Sequence, residues 1–178
     1  MNGMVKNATN LVFTAVDYDP FAGPELVRLV PTTEPQREIW TACALGGDDA
    51  NRAYNESVSL RLTGELNRPA LTRALHTLAG RHEALHSAFS ADGRQLCILS
   101  DMPPAFTYED VSAYSSTDQA LHVAQYLRQD ALHIFPLTQG PLFKAGLLKL
   151  GPALHQLVLT VHHIVCDGWS LGVLMQDL

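Results

Sequence analysis

Leu154-His155-Gln156-Leu157-Val158-Leu159-Thr160-Val161-His162-His163, followed at once by Ile164-Val165-Cys166-Asp167-Gly168-Trp169-Ser170, is the stretch on which the fold of this chain turns. Side chains on a strand alternate between faces, so Leu157, Leu159, Val161 and His163 share one side and Val158, Thr160 and His162 the other. A strand that is apolar on both sides is expected at the centre of a sheet. This one ends in two adjacent histidines that point apart, followed by a tight turn through Asp167-Gly168. One histidine is free to anchor structure while its neighbour faces a cleft. An imidazole in such a place moves protons near neutral pH without further tuning. Asp167 is available to accept hydrogen bonds or pair with a cation, and Gly168 permits close backbone approach or positive φ.

Working outward, Phe143 to Leu150 reads as the preceding strand, joined to Leu154–Val165 through a Gly151-Pro152 turn. Ser170 is placed to cap a final helix. Thr33-Glu34-Pro35-Gln36 is a capping box with proline in the first turn, so a helix carrying Gln36, Ile39, Trp40 and Cys43 starts there and stops at Gly46-Gly47-Asp48-Asp49. Glu56 to Thr63 alternates, with Val58, Leu60 and Leu62 on the buried side of a strand. Asn67-Arg68-Pro69 opens a helix with Leu71, Ala74, Leu75, Leu78 and His82 at helical spacing. The turn Ala91-Asp92-Gly93-Arg94 leads to a strand over Gln95–Leu99. Ser116-Thr117-Asp118-Gln119 reads as a second capping box, opening a helix with Leu121, Ala124, Leu127, Ala131 and Leu132 on one stripe. Helix, strand, helix, strand, helix, hairpin, helix is the order of a layered α/β protein with a mixed or mainly antiparallel sheet. Residues 1–29 read as an N-terminal extension, linker or docking segment: a short strand-like piece, Leu11–Val16, precedes the turn-rich Asp17–Pro24.

The bulk properties narrow the function. The apolar fraction of 47% against 17% charged residues argues for a packed globular core in 178 residues. Eighteen acidic against twelve basic residues, net −6, disfavour a nucleic-acid partner. No stretch reads as a signal peptide or membrane span. Cys43, Cys97 and Cys166 are widely spaced and form no CxxC pair, which points away from a disulfide framework or zinc site and toward a cytoplasmic location. Adjacent strand histidines cannot share a metal, so no metal site is expected, and Cys166 reads as a small apolar filler.

The segment His162-His163-Ile164-Val165-Cys166-Asp167-Gly168 fits the HHxxxDG signature of condensation domains of nonribosomal peptide synthetases, and Trp169-Ser170 extends the match. Thr33–Trp40 resembles the family's first motif block and Arg81–Phe89 its second. Phe135-Pro136-Leu137 and Gly140–Ala145 also resemble the family, so the likeness runs from about residue 30 to 178. The resemblance implies a chloramphenicol-acetyltransferase-like lobe of mixed sheet and flanking helices, paired in the family with a second lobe across a tunnel. Donor and acceptor carrier proteins bring phosphopantetheine-tethered substrates to the two tunnel mouths, with no cofactor bound directly. By the motif, His163 is the catalytic histidine. His162 and Asp167 are structural, Asp167 bridging to Arg81. Gly168 lines the substrate channel, with Trp169 and Ser170 as further channel candidates. The family's second block carries another arginine where this chain has His86, so any ion pair made by that arginine is lost or altered.

The motif lies close to Leu178, so residues 30–178 are expected to be the N-terminal lobe alone, inactive until a C-terminal lobe is supplied. Two other readings fit parts of the chain. A trimeric chloramphenicol-acetyltransferase-like acyltransferase also keeps the motif near its C-terminus. A non-catalytic module would use residues 1–29 to dock on an upstream megasynthase subunit. Within the family, the intact His162-His163 pair favours condensation over heterocyclisation, and Trp169-Ser170 favours it over epimerisation. Thr33–Trp40 and Tyr54-Asn55-Glu56-Ser57 resemble condensation domains that follow polyketide modules, which implies a polyketide acyl donor.

Overall fold

The computed structural model describes residues 24–178. The Leu11–Val16 segment and most of the turn-rich stretch after it lie outside the described residues. The elements run β1 (Leu26–Pro31), α1 (Glu34–Ala53), β2 (Asn55–Thr63), α2 (Arg68–Arg81), a 3-10 turn (Glu83–His86), β3 (Ser87–Phe89), β4 (Gln95–Leu99), β5 (Ala105–Asp110), α3 (Ser116–Ala131), β6 (Phe143–Gly151), β7 (Leu154–His162) and α4 (Gly168–Asp177). β1 spans the boundary expected after residue 29 and pairs with β4.

Two sheets form, one ordered β2-β7-β6-β5 and the other β1-β4-β3. In the larger sheet β5 runs parallel to β6 and the remaining pairs are antiparallel, which is the mixed α/β arrangement the sequence implied. β7 is central, with buried side chains on both faces from Leu157 to His162. It ends at His162, three residues before the expected end, because the chain turns there: Val165 N–H donates to the His162 carbonyl (3.1 Å).

α2 and α4 cover one face of the large sheet, packing Leu75, Leu78 and Leu174 against Leu157, Leu159 and Val161. α3 covers the other face, its Tyr126 hydroxyl bonded to Thr107 of β5 (2.8 Å). α1 reaches across to the smaller sheet, where Ile39 and Trp40 pack on Phe89, Leu96, Leu142 and Ile164.

The capping box at Thr33 forms as expected, Gln36 N–H bonding the Thr33 hydroxyl and Thr33 N–H bonding Gln36 Oε1 (3.0 Å). The stop expected at Gly46–Asp49 is instead a joint. Gly47 alone leaves helical geometry (φ 62°, ψ −146°), and the helix resumes with Arg52 paired to Asp49 at 2.9 Å. Glycine takes that positive φ at little cost, so the helix is broken without being ended.

α3 departs further from expectation. Its cap is Ser115, one residue earlier, bonded by Asp118 N–H (3.2 Å). Its inward face is Gln119, His122, Val123, Tyr126, Leu127 and Asp130, while Leu121 and Leu132 are exposed. The inward polar groups are each taken up by tertiary partners, which a hydrophobic stripe cannot register. Gln119 donates to the Val111 and Leu150 carbonyls (3.0 and 2.8 Å), and His122 meets Glu109 at 2.5 Å.

The β3–β4 turn holds α1 in place: Thr32 N–H and hydroxyl donate to the Arg94 and Gly93 carbonyls. Gly93 has φ +68°, and a Cβ there would lie 2.3 Å from the Trp40 ring. Gly93→Ala combines left-handed strain with an overpacked contact. A loss of about 2–4 kcal/mol is expected from urea unfolding midpoints.

Candidate active site at the end of the central strand

The site grows from the last residues of β7. His162 N–H bonds the Leu142 carbonyl of the segment entering β6 (3.0 Å), and His163 N–H bonds the Tyr54 carbonyl before β2 (2.8 Å). The backbone on both sides thereby fixes the directions of the two imidazoles.

His162 is fully buried. Its Nδ1 accepts the Ile164 N–H (3.2 Å), and Nε2 lies 4.0 Å from the Cys43 sulfur. Tyr54 and Phe135 flank the ring at 6.0 and 5.9 Å. Burial pushes its pKa down to about 4, so it is neutral at physiological pH and acts as a fixed acceptor for the turn.

The sign of the resulting pH dependence follows. Between about 4 and the ordinary value of 6.5 the unfolded chain binds the proton and the folded chain does not. The contribution is therefore complete above about 6.5 and lost as pH falls toward 4, about 3 kcal/mol in all. Denaturant midpoints measured from pH 7 to 4.5 are expected to fall less steeply in His162→Phe than in the wild type.

His163 faces the other way. Its side chain is 37% exposed, yet Nδ1 is buried and lies 2.6 Å from Glu56 Oε1 of β2, off the direction of a formed hydrogen bond. The exposed edge of the ring is thus the Nε2 side. It borders a cavity of about 280 Å³ whose walls include Thr33, Gln36, Ile39, Cys166 and Ser170. Gln36 closes one wall by donating from Nε2 to the Ile164 carbonyl (3.2 Å), so the capping box of α1 also pins the turn after His163. Burial pushes the Cys166 thiol up to about 12, which makes it an inert filler behind the imidazole.

Asp167 caps α4. Its carboxylate accepts the Ser170 N–H (2.8 Å) and hydroxyl (2.6 Å), and these bonds hold its pKa below the usual carboxylate range. The expected bridge from Asp167 to Arg81 is not made. Arg81 Nη1 instead lies 3.4 Å from Asp177, which His82 also bonds at 2.9 Å, so the last turns of α2 and α4 are clamped together. Capping has already engaged the Asp167 carboxylate. Gly168 does not use positive φ; it opens α4, and a Cβ there would meet only open space. Trp169 stands 86% exposed on the first turn of α4. With Ser170, His82, Leu85 and Val173 it borders a second, apolar cavity of about 190 Å³. At the departure in the second block, His86 Nδ1 donates to the Leu99 carbonyl (2.6 Å), a backbone bond where the family pattern has a cation.

Glu56 is the residue that motif reading missed as part of the site. Its signal was present: it continues the inward row Val58, Leu60, Leu62 of β2, where a carboxylate needs a partner.

A mixed sheet with helices on both faces and a solvent-facing histidine at the end of its central strand defines a chloramphenicol-acetyltransferase-like α/β fold. The family model described as Condensation domain matches residues 28–178, and the chain belongs to that family. The malpinin synthetase of Mortierella alpina is 33% identical over 149 residues, 84% of this chain and 2% of that protein. The dimodular nonribosomal peptide synthase of Bacillus subtilis is 35% identical over 150 residues, 84% of this chain and 6% of that protein. The solved starter condensation domain of the rhizomide synthetase RzmA is similar at a TM-score of 0.75 and 26% identity, over 84% of this chain and 37% of that one. A variant of that domain, in complex with C8-CoA and Leu-SNAC, is similar at a TM-score of 0.74 and 26% identity, over 84% of this chain and 34% of that one. The chain thus spans a small part of the synthetases it matches and about a third of the solved domain.

Proposed function

We propose that this chain supplies the catalytic lobe of a condensation domain that moves an acyl group from a carrier-bound thioester to the amine of a carrier-bound aminoacyl acceptor. The amide C–N bond forms, the thioester C–S bond breaks, and the donor carrier recovers its thiol. The observation that supports this reading most directly is the His163 imidazole, held by backbone bonds at the end of a buried strand with its Nε2 edge on an open cavity.

In this reading His163 accepts or steers the proton of the attacking amine. His162 holds the turn, and Asp167 fixes the start of α4. Arg81 braces α2 against α4 through Asp177. The open space above Gly168 is where the thioester passes, with Trp169 and Ser170 beside it. Substrates arrive on the phosphopantetheine arms of donor and acceptor carrier proteins, and a C-terminal lobe supplies the remaining walls. The resemblance of residues 33–40 and 54–57 to domains that follow polyketide modules supports a polyketide acyl donor delivered by an upstream megasynthase subunit.

The test is a single-turnover assay in the synthetase that carries this chain, with both carriers loaded and the amide followed by mass spectrometry. His163→Ala is expected to slow product formation by about 10²–10⁴-fold; amide formed at the wild-type rate overturns the reading.

A further inference from the structure

We propose that Glu56 is the positioning residue for His163: its carboxylate keeps the proton on Nδ1 and thereby leaves the Nε2 lone pair directed at the cavity. This rests on the catalytic reading of His163 given above and names a second residue for the same reaction.

Three observations carry it. First, Glu56 Oε1 lies 2.6 Å from His163 Nδ1, and that nitrogen is buried with no hydrogen-bond partner among the described residues. Glu56 is the group placed to receive its proton. Second, Glu56 lies on the inward row of β2, next to Val58 in the same face and opposite Val161 of β7. A carboxylate in an apolar row, its side chain only 29% exposed, destabilises the fold unless it has a partner, and His163 is the one the geometry provides. Third, the two residues cannot drift apart, because the His163 N–H is bonded to the Tyr54 carbonyl two residues before Glu56 (2.8 Å). Backbone and side chain of His163 are both referred to the start of β2.

The chemistry follows from the two nitrogens of imidazole. Whichever nitrogen carries the hydrogen in the neutral ring, the other holds the lone pair, and the choice is set by the hydrogen bond made on the far side. A base must present its lone pair to the substrate, so the proton has to rest on the nitrogen facing away. A carboxylate on that side selects the tautomer and the ring orientation together, as the third member of a nucleophile–base–orienter set does elsewhere. The oxygen lies off the N–H direction, and a small rotation of the ring or carboxylate brings the bond into line. Glu56 touches neither donor nor acceptor in this account; it acts only through His163.

The experiment compares Glu56→Ala and Glu56→Gln in two ways. In the synthetase, kcat for amide formation in Glu56→Ala is expected to fall by roughly 10-fold or more, between the 10–100-fold typical when the outer partner of a metal-ligating imidazole is removed and the about 10⁴-fold lost from a catalytic triad, with KM for both loaded carriers little changed. Glu56→Gln keeps an acceptor oxygen at the same reach and is expected to recover part of that loss. In the 178-residue chain, histidine labelled with nitrogen-15 reports the tautomer directly: the Nδ1–H form of His163 is expected to dominate in the wild type, persist in Glu56→Gln and give way in Glu56→Ala. Wild-type kcat in Glu56→Ala overturns the inference. So does equal loss in both variants with an unaltered tautomer, the pattern of a purely structural role. If His163→Ala keeps turnover, the catalytic reading itself falls. If His163→Ala is inactive while Glu56→Ala is not, only the present inference falls.

Discussion

His163→Ala is expected to slow amide formation by about 10²–10⁴-fold while the chain still unfolds cooperatively, at a cost of about 1–3 kcal/mol for the Glu56 carboxylate left without its partner. The two halves of this expectation come from different facts. The rate loss is what a positioned general base or proton-steering group contributes. The residual rate reflects the remaining advantage, the holding of two tethered substrates at reacting distance, which the alanine variant retains. The stability expectation comes from placement: the His163 side chain is 37% exposed and stands at the end of β7, outside the packed cluster of Leu157, Leu159 and Val161. Its backbone bond to Tyr54 survives substitution. Loss of activity with loss of fold would point to a structural histidine, and the thermal melt separates the cases.

Lys144→Met is expected to cost about 3–5 kcal/mol of folding stability, read from chemical denaturation, because it strands a charge inside the protein. Lys144 Nζ lies 2.8 Å from Asp130 Oδ1, with side chains 15% and 3% exposed. Asp130 also accepts the Thr160 hydroxyl, and Thr160 shares a 2.8 Å bond with Ser57. The network joins α3 to β7, β6 and β2 on the face of the sheet that also carries His162. Removing one member of a buried ion pair leaves the other desolvated and uncompensated. Replacing both with apolar groups does not. The double variant Lys144→Met with Asp130→Leu is therefore expected to regain much of the lost stability, leaving Thr160 to bond Ser57. A single-variant loss below about 1 kcal/mol would show that water reaches the pair.

What the residues disclosed, and what they hid, divides along physical lines. Signals that act within a few residues were legible: the Thr33–Gln36 box, the Asn67 cap bonded by Ala70 N–H at 3.0 Å, and the alternation of β2. The two-sided apolarity of β7 correctly placed it at the centre of the sheet. Signals that depend on a distant partner were not legible. α3 turns its polar residues inward because β5, β6 and β7 supply their partners, and Leu121 and Leu132 are left outside. β1, β3 and β5 escaped notice: they are three to six residues long and owe their order to the strands beside them. In the site, the motif located His162 and His163, and the structure gives them opposite surroundings. It could not say that Asp167 spends its carboxylate on Ser170, nor that Arg81 turns to Asp177. Glu56 falls in the Tyr54–Ser57 segment, whose likeness to domains after polyketide modules gave it no role at the site; the register of β2 against β7 brings it to His163.

The exposure of Trp169 has an optical consequence. The chain holds two tryptophans, and they occupy opposite environments. Trp40 is packed against the Phe89–Leu142 cluster, whereas Trp169 stands 86% in water at the rim of the apolar cavity on α4. An indole in water emits to the red of one held among hydrocarbon side chains, so the native emission is a sum of two separable colours. The red component originates on the first turn of α4, six residues from His163 in the chain. The protein thus carries its own reporter at the edge of the candidate site, and a ligand or partner that covers that edge is expected to shift the red component toward the blue.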